Sequence, residues 1–123
     1  MITRQSKEKF FQHFYQHFLN TNPDIRKMFE QTVFDKQITM LKNAISMSIL
    51  FAEKQDELAK DVLTSIRNSH SSRKLNVRPE YYSLWLNSLV ETLRVCDSQF
   101  NEQLESQWRE MMQISIDYIV EGY

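Results

Sequence analysis

A chain of 123 residues with a single glycine, Gly122, and two prolines, Pro23 and Pro79, has almost no turn chemistry to draw on. Tight hairpins use glycine or Asn-Gly pairs, and dinucleotide-binding loops use several glycines at fixed spacing; neither can be built here. No phosphate-binding glycine motif, nucleophile elbow or Cys-x-x-Cys pair can be drawn from these residues. Strands would need sustained β-branched alternation, which is missing, so the fold class is all-α. At 41% hydrophobic and 25% charged, the chain can close a core and is not expected to be disordered. Its length suits one domain, 1–123, since domains usually run to roughly 100–200 residues.

Charge narrows the partners. Fifteen Lys and Arg against sixteen Asp and Glu leave a formal net charge of −1, which gives no long-range field to hold a nucleic acid. The one cysteine, Cys96, can form neither an internal disulfide nor a zinc site by itself. It ends an apolar stripe and reads as a small core residue rather than a nucleophile. The first residues, Met1-Ile2-Thr3-Arg4-Gln5-Ser6-Lys7, lack the apolar run of a signal peptide, and no apolar stretch approaches the roughly 18 residues a membrane span needs. A cytoplasmic protein with no membrane partner is expected.

Apolar spacing divides the chain into helices. The first runs from about Ser6, a candidate N-cap, to Leu19, with Phe11, Phe14, Tyr15 and Phe18 on one face. Asn20-Thr21-Asn22-Pro23 breaks it, and Pro23 suits the first turn of a short helix from Asp24 to Phe29. A long helix from about Asp35 to Ala52 aligns Ile38, Leu41, Ala44, Ile45 and Ser48, and another from about Gln55 to Ser69 aligns Leu63, Ile66 and His70. After a polar, basic corner, Pro79-Glu80 opens a helix to about Cys96 with Tyr82, Trp85, Leu86, Leu89 and Leu93 as its stripe. The last helix, about Glu102 to Val120, carries Leu104, Trp108, Met111, Met112, Ser115 and Ile119.

Five groups of residues carry possible chemistry. His70 lies on the apolar side near a helix end, either as a half-buried histidine or as a ligand to a metal or haem iron. Tyr15 puts a phenol among phenylalanines, where its hydroxyl needs a backbone acceptor or a ligand. Gln37, in phase with Leu41 and Ala44, raises the same question for an amide. His13 and His17 share the i, i+4 spacing that can hold a metal, but they lie roughly 100–140° from the aromatic centre of their helix. No third ligand is evident for them, so a solvated or edge face is expected. Arg67, Arg73, Lys74 and Arg78 surround His70, either as a solvated corner or as partners for carboxylates at a pocket mouth.

In chain order the pattern runs Phe14-Tyr15-Gln16-His17-Phe18-Leu19, Asn22-Pro23-Asp24-Ile25-Arg26 and Met28-Phe29. Lys36-Gln37-Ile38-Thr39-Met40-Leu41-Lys42-Asn43-Ala44-Ile45 follows, then His70, 33 residues after Gln37, then the corner Lys74 to Tyr82, and Trp108. From about Phe10 to Ile119 this resembles the globin family, in particular bacterial single-domain and flavohaemoglobin-type globins. The resemblance implies a three-over-three globin fold whose first (A) helix is absent or shortened, with a dimer contact as one replacement for its packing. It implies haem b (iron protoporphyrin IX) with His70 as the proximal iron ligand, and Tyr15 and Gln37 facing bound dioxygen. Phe29, Gln37, Leu41, Ala44, Ile66, His70 and Tyr82 would line the cofactor, and Arg67, Arg73 or Lys74 would meet a propionate.

The chain departs from flavohaemoglobin-type globins in two further ways. The segment from His70 to Pro79 is about two residues longer, and the late glutamate that steadies the proximal histidine has only an out-of-register counterpart in Glu121. The function implied is reversible binding of dioxygen or another diatomic gas, NO or CO, for storage, scavenging or sensing. Two alternatives stand beside it. One is nitric oxide dioxygenation with a separate reductase, since no flavin or nicotinamide domain is expected here. The other is a haem-free regulator that binds a partner or a fatty acid.

Overall fold

A computed structural model describes residues 4–123, with side chains from Lys9 onward. Six helices make up the regular structure of this region: α1 (Arg4–Leu19), α2 (Pro23–Met28), α3 (Phe34–Lys54), α4 (Glu57–Ser69), α5 (Tyr81–Cys96) and α6 (Glu102–Val120). Met1, Ile2 and Thr3 of the N-terminal sequence considered above lie outside the described residues. Because α1 already begins at Arg4, Ser6 sits inside the helix and is not its cap; its side chain is also outside the described region.

Three of the helix starts follow from short polar side chains. The Asn22 side chain accepts from the Asp24 N–H at 2.7 Å, and Pro23 takes the first helical position, where a missing N–H costs nothing. Asp56 accepts from the Ala59 N–H at 3.0 Å and Asn101 from the Leu104 N–H at 2.9 Å, fixing the first turns of α4 and α6. Between α3 and α4 the chain turns on Gln55 in the left-handed region, φ 48°, a conformation that usually calls for glycine. The single glycine of the chain was therefore not available to every turn that would favour one.

Packing makes two connected groups. α1 lies along α5 with α2 tucked beneath it, while α3 packs on both α4 and α6, and α6 also meets α4 and α5. The core is centred on Phe14, which is fully buried with its ring 5.1 Å from Tyr15, 5.6 Å from Phe18 and 6.0 Å from Trp85. Leu89, Val90, Leu93, Met112 and Ile116 complete it from α5 and α6. Burial of each large apolar side chain contributes about 1.5–3 kcal/mol, so this one cluster holds α1 to the rest of the chain. Cys96 corrects the expectation of a core residue: it is exposed and free, because the last turn of α5 runs past the edge of the packed surface. Among the described residues no helix is long and apolar enough to cross a membrane.

Candidate functional site

The helices enclose a cavity of about 630 Å³, within the usual range of small-molecule sites at about 300–1,000 Å³. α3 contributes Gln37, Leu41, Ala44 and Ser48, one stripe at helical spacing, and α4 contributes Leu63 and Ile66 with His70 just beyond its end. Tyr15 and Phe18 come from α1, Phe29 from the end of α2, Tyr81, Tyr82 and Trp85 from α5, and Met112, Ser115, Ile116 and Ile119 from α6. All the candidate residues singled out above for a cofactor or its ligand, Tyr15, Phe29, Gln37, Leu41, Ala44, Ile66, His70 and Tyr82, therefore meet around one space.

At one end stands Tyr15, buried, its ring 5.3 Å from Phe34 and 6.0 Å from Phe29. Burial pushes its phenol up to about 12, while a hydrogen bond with the Gln37 side chain pulls the other way. The phenol is thus a neutral donor at any physiological pH. Gln37 is half-buried and reaches the same end from α3.

His70 lines the same cavity. Its backbone N–H donates to the Ile66 carbonyl at 2.9 Å as the C-cap of α4, and its own carbonyl accepts from the Val77 N–H at 3.0 Å. The ring is held by the side chain: His70 Nδ1 lies 3.0 Å from the Tyr82 hydroxyl oxygen. Burial lowers the His70 pKa, and burial also pushes the Tyr82 phenol up to about 12. When Nδ1–H donates to Tyr82, Nε2 of the neutral ring keeps its lone pair, the form in which imidazole is a metal ligand.

The corner after His70 is set by backbone hydrogen bonds, Leu75 N–H to Ser69 O at 3.0 Å and Asn76 N–H to Ser71 O at 2.9 Å, with Asn76 at φ 53°. The Tyr123 hydroxyl donates to Asn76 Oδ1 at 2.5 Å and ties this corner to the end of α6. Glu121 does not line the cavity; it pairs with Arg67 at 3.8 Å. The Arg67 guanidinium also lies 5.0 Å above the Tyr118 ring, so it is committed to α6.

Two of the cations expected at a pocket mouth, Arg73 and Lys74, are exposed, and no Lys, Arg, Asp or Glu is among the described residues that line the cavity. Arg67, Arg73 and Lys74, the three alternatives for meeting a propionate, are thus not among the residues that line the cavity. Around the cavity the exposed lining residues are instead uncharged, Met28, Met40 and Leu75 with the polar Asn43 and Ser65.

Sequence reasoning passed over several lining residues. Trp85 was visible only as a core candidate, Tyr81 only within the corner Lys74 to Tyr82, and Ser115 only as a member of a stripe. Its buried Oγ has no hydrogen-bond partner among the described residues. The partnership of Tyr82 with His70 had no signal in spacing, because it depends on how the corner folds back.

His70 also gives the fold a pH dependence. In the unfolded chain its imidazole takes up a proton near the ordinary value of about 6.5, whereas the buried ring resists protonation. The unfolded state therefore binds more protons as pH falls below about 6.5, and stability drops in that window while remaining complete above it. Urea melts of the cofactor-free chain at pH 7.5 and pH 5 should show wild type losing more stability than His70→Gln. Equal losses would mean that the buried ring does not resist its proton.

A globin family model matches residues 12–119. A flavohemoprotein of Vibrio cholerae serotype O1 is 31% identical over 100 residues, 79% of this chain and 25% of its own length. A flavohemoprotein of Halalkalibacterium halodurans is 27% identical over 124 aligned residues, 98% of this chain and 29% of its length. The chain thus spans only a quarter to three-tenths of the curated relatives it matches. Among solved structures, a Pseudomonas aeruginosa PAO1 protein described as structurally highly homologous to a human hemoglobin superposes with a TM-score of 0.87. It shares 32% identity, and the match covers 93% of this chain and 85% of that one.

Proposed function

The chain belongs to the globin family, and from that premise we propose that its 630 Å³ cavity holds haem, as iron protoporphyrin IX, and that the protein reversibly binds a diatomic gas, dioxygen foremost. One observation carries this reading. A neutral imidazole held by a tyrosine hydroxyl and a phenol paired with an amide both line the same largely apolar chamber.

The residues present fit the group: the volume is adequate, the walls are largely apolar, and His70 offers a nitrogen whose protonation burial disfavours. Haem, when bound, would supply an iron able to take a gas ligand, and His70 would be the residue that holds it. Tyr82 accepts from Nδ1–H of His70, which fixes the ring plane and raises its strength as a donor. Tyr15 and Gln37 would offer hydrogen-bond donors to a polar gas ligand in the chamber, and so would slow its escape. Phe29, Leu41, Ala44 and Ile66 keep water out of the chamber. With no cation lining the chamber among the described residues, apolar contact contributes more to holding the group than ion pairing does.

Nitric oxide dioxygenation is the second reading, in keeping with the similarity to flavohemoproteins; it would need electrons from a reductase. Dioxygen and nitric oxide consumption that turns over only when reductant is supplied would distinguish it from simple binding.

The purified chain, with haem added and then reduced, should show a Soret band that shifts on exposure to dioxygen and to carbon monoxide. A chain that shows no Soret band even after haem addition would overturn the reading and leave a haem-free regulator.

A further inference from the structure

His13 and His17 lie on α1, four residues apart, where helix geometry brings their Cβ atoms to about 5–6 Å. They do not line the 630 Å³ cavity. Both are half-buried at the edge of the α1–α5 seam and not fully solvated, and His17 is anchored across that seam: its Nδ1 lies 2.7 Å from Ser88 Oγ. Ser88 is completely buried, and its hydroxyl donates its one proton to the Leu84 carbonyl at 2.8 Å. With that proton committed, Ser88 can only accept from His17. The neutral His17 ring must therefore carry its hydrogen on Nδ1 and leave Nε2 with a free lone pair. A fixed tautomer with a hydrogen-bonded far nitrogen is how proteins prepare a metal-ligating histidine. No hydrogen bond or ion pair is recorded for His13 or for His17 Nε2 among the described residues.

We propose that His13 and His17 form an exchangeable two-imidazole site for a late divalent transition-metal ion, with Ser88 as the residue that orients His17. Two histidines at i, i+4 on one helix face can grip a single ion with metal–nitrogen bonds of about 2.0–2.1 Å. Imidazole nitrogen completed by water suits Cu(II), which also leads the divalent affinity order, ahead of Ni(II) and Zn(II). Among the described residues no group of three or more His, Cys, Asp or Glu side chains could hold a metal, so solvent fills the remaining positions. An ion held in this way is open to exchange and is not a structural clamp.

The test is titration of the full chain with Cu(II) against a competing chelator, read by isothermal calorimetry and by electron paramagnetic resonance of the bound ion. Expected is one ion per chain, with a tetragonal spectrum showing two nitrogen ligands. His13→Gln and His17→Gln should each weaken binding ten-fold or more. Ser88→Ala should weaken it roughly ten-fold while leaving both nitrogens in the spectrum, in line with the usual effect of losing an orienting partner. Helical circular dichroism verifies that each variant is folded, and His13→Gln, at a half-buried position away from Ser88, keeps the test open if Ser88→Ala unfolds. Copper binding that survives the double change His13→Gln with His17→Gln would place the ion elsewhere and overturn the proposal. So would a one-nitrogen spectrum in the wild-type chain, or Ser88→Ala binding as tightly as wild type. Because none of these readings involves the large cavity, they stand apart from any result on haem.

Discussion

His70→Ala should abolish stable haem uptake. The substitution removes the one imidazole that lines the cavity and leaves Tyr82 facing an empty space where a nitrogen stood at 3.0 Å. The apolar walls remain, so weak partitioning of haem should persist while coordination is lost. A rate of haem loss at least roughly 100-fold above wild type is expected, equivalent to about 2.7 kcal/mol. The helices should survive, since His70 is only half-buried and its backbone N–H, the cap of α4, is untouched by the change. Transfer of haem to an excess of a high-affinity acceptor, followed at the Soret band, measures the rate. Added free imidazole should recover part of the lost absorbance by filling the vacated position. A variant that retained haem as well as wild type would show that another group holds the iron. Tyr82→Phe separates ligation from orientation: it should keep haem bound but alter the iron–imidazole stretch in a resonance Raman spectrum.

Much of this arrangement is legible before any coordinates because the signals are local. Apolar spacing and the break at Asn22-Pro23 put the starts of α2, α4 and α6 within two residues of the observed ones, where Asn22, Asp56 and Asn101 prove to be the caps. The stripe Gln37, Leu41, Ala44 and Ser48 faces the cavity because helical periodicity leaves it no other common direction. What could not be read depends on where a chain reverses or how far a helix overshoots. Cys96 continues an apolar stripe in phase but sits one turn beyond the surface it would pack on. Arg67 is only three residues from His70, yet its guanidinium reaches the Tyr118 ring on α6, a contact between residues 51 apart in sequence. The Tyr82–His70 bond arises because the corner from Ser71 to Arg78 folds back under hydrogen bonds among its own amides. No periodicity encodes that geometry, and it supplies the histidine partner that Glu121, engaged with Arg67, does not.

The second large effect concerns Tyr15. Tyr15→Phe deletes one hydroxyl and keeps the ring, so the edge contacts with Phe14 at 5.1 Å and Phe34 at 5.3 Å should hold the side chain in place. The change then isolates one hydrogen bond to the gas. A typical hydrogen bond is worth about 0.5–1.5 kcal/mol net, and its upper end corresponds to roughly a ten-fold change in rate. Dioxygen should therefore leave the reduced haem protein roughly ten-fold faster, with its association rate little altered. Carbon monoxide, which gains less negative charge on binding, should respond much less. Gln37 remains to donate in the single variant, and because it shares a hydrogen bond with Tyr15 the two contributions are coupled. Tyr15→Phe combined with Gln37→Leu should thus depart from the product of the two single effects. The acidity of the phenol adds an independent check. Since burial holds it at about 12, the wild-type dioxygen off-rate should stay flat from pH 7 to pH 10 and rise only as the phenol ionises and ceases to donate. Stopped-flow displacement of dioxygen by carbon monoxide measures all of these rates. An off-rate in Tyr15→Phe equal to that of wild type would mean that the phenol serves Gln37 alone and never reaches the gas.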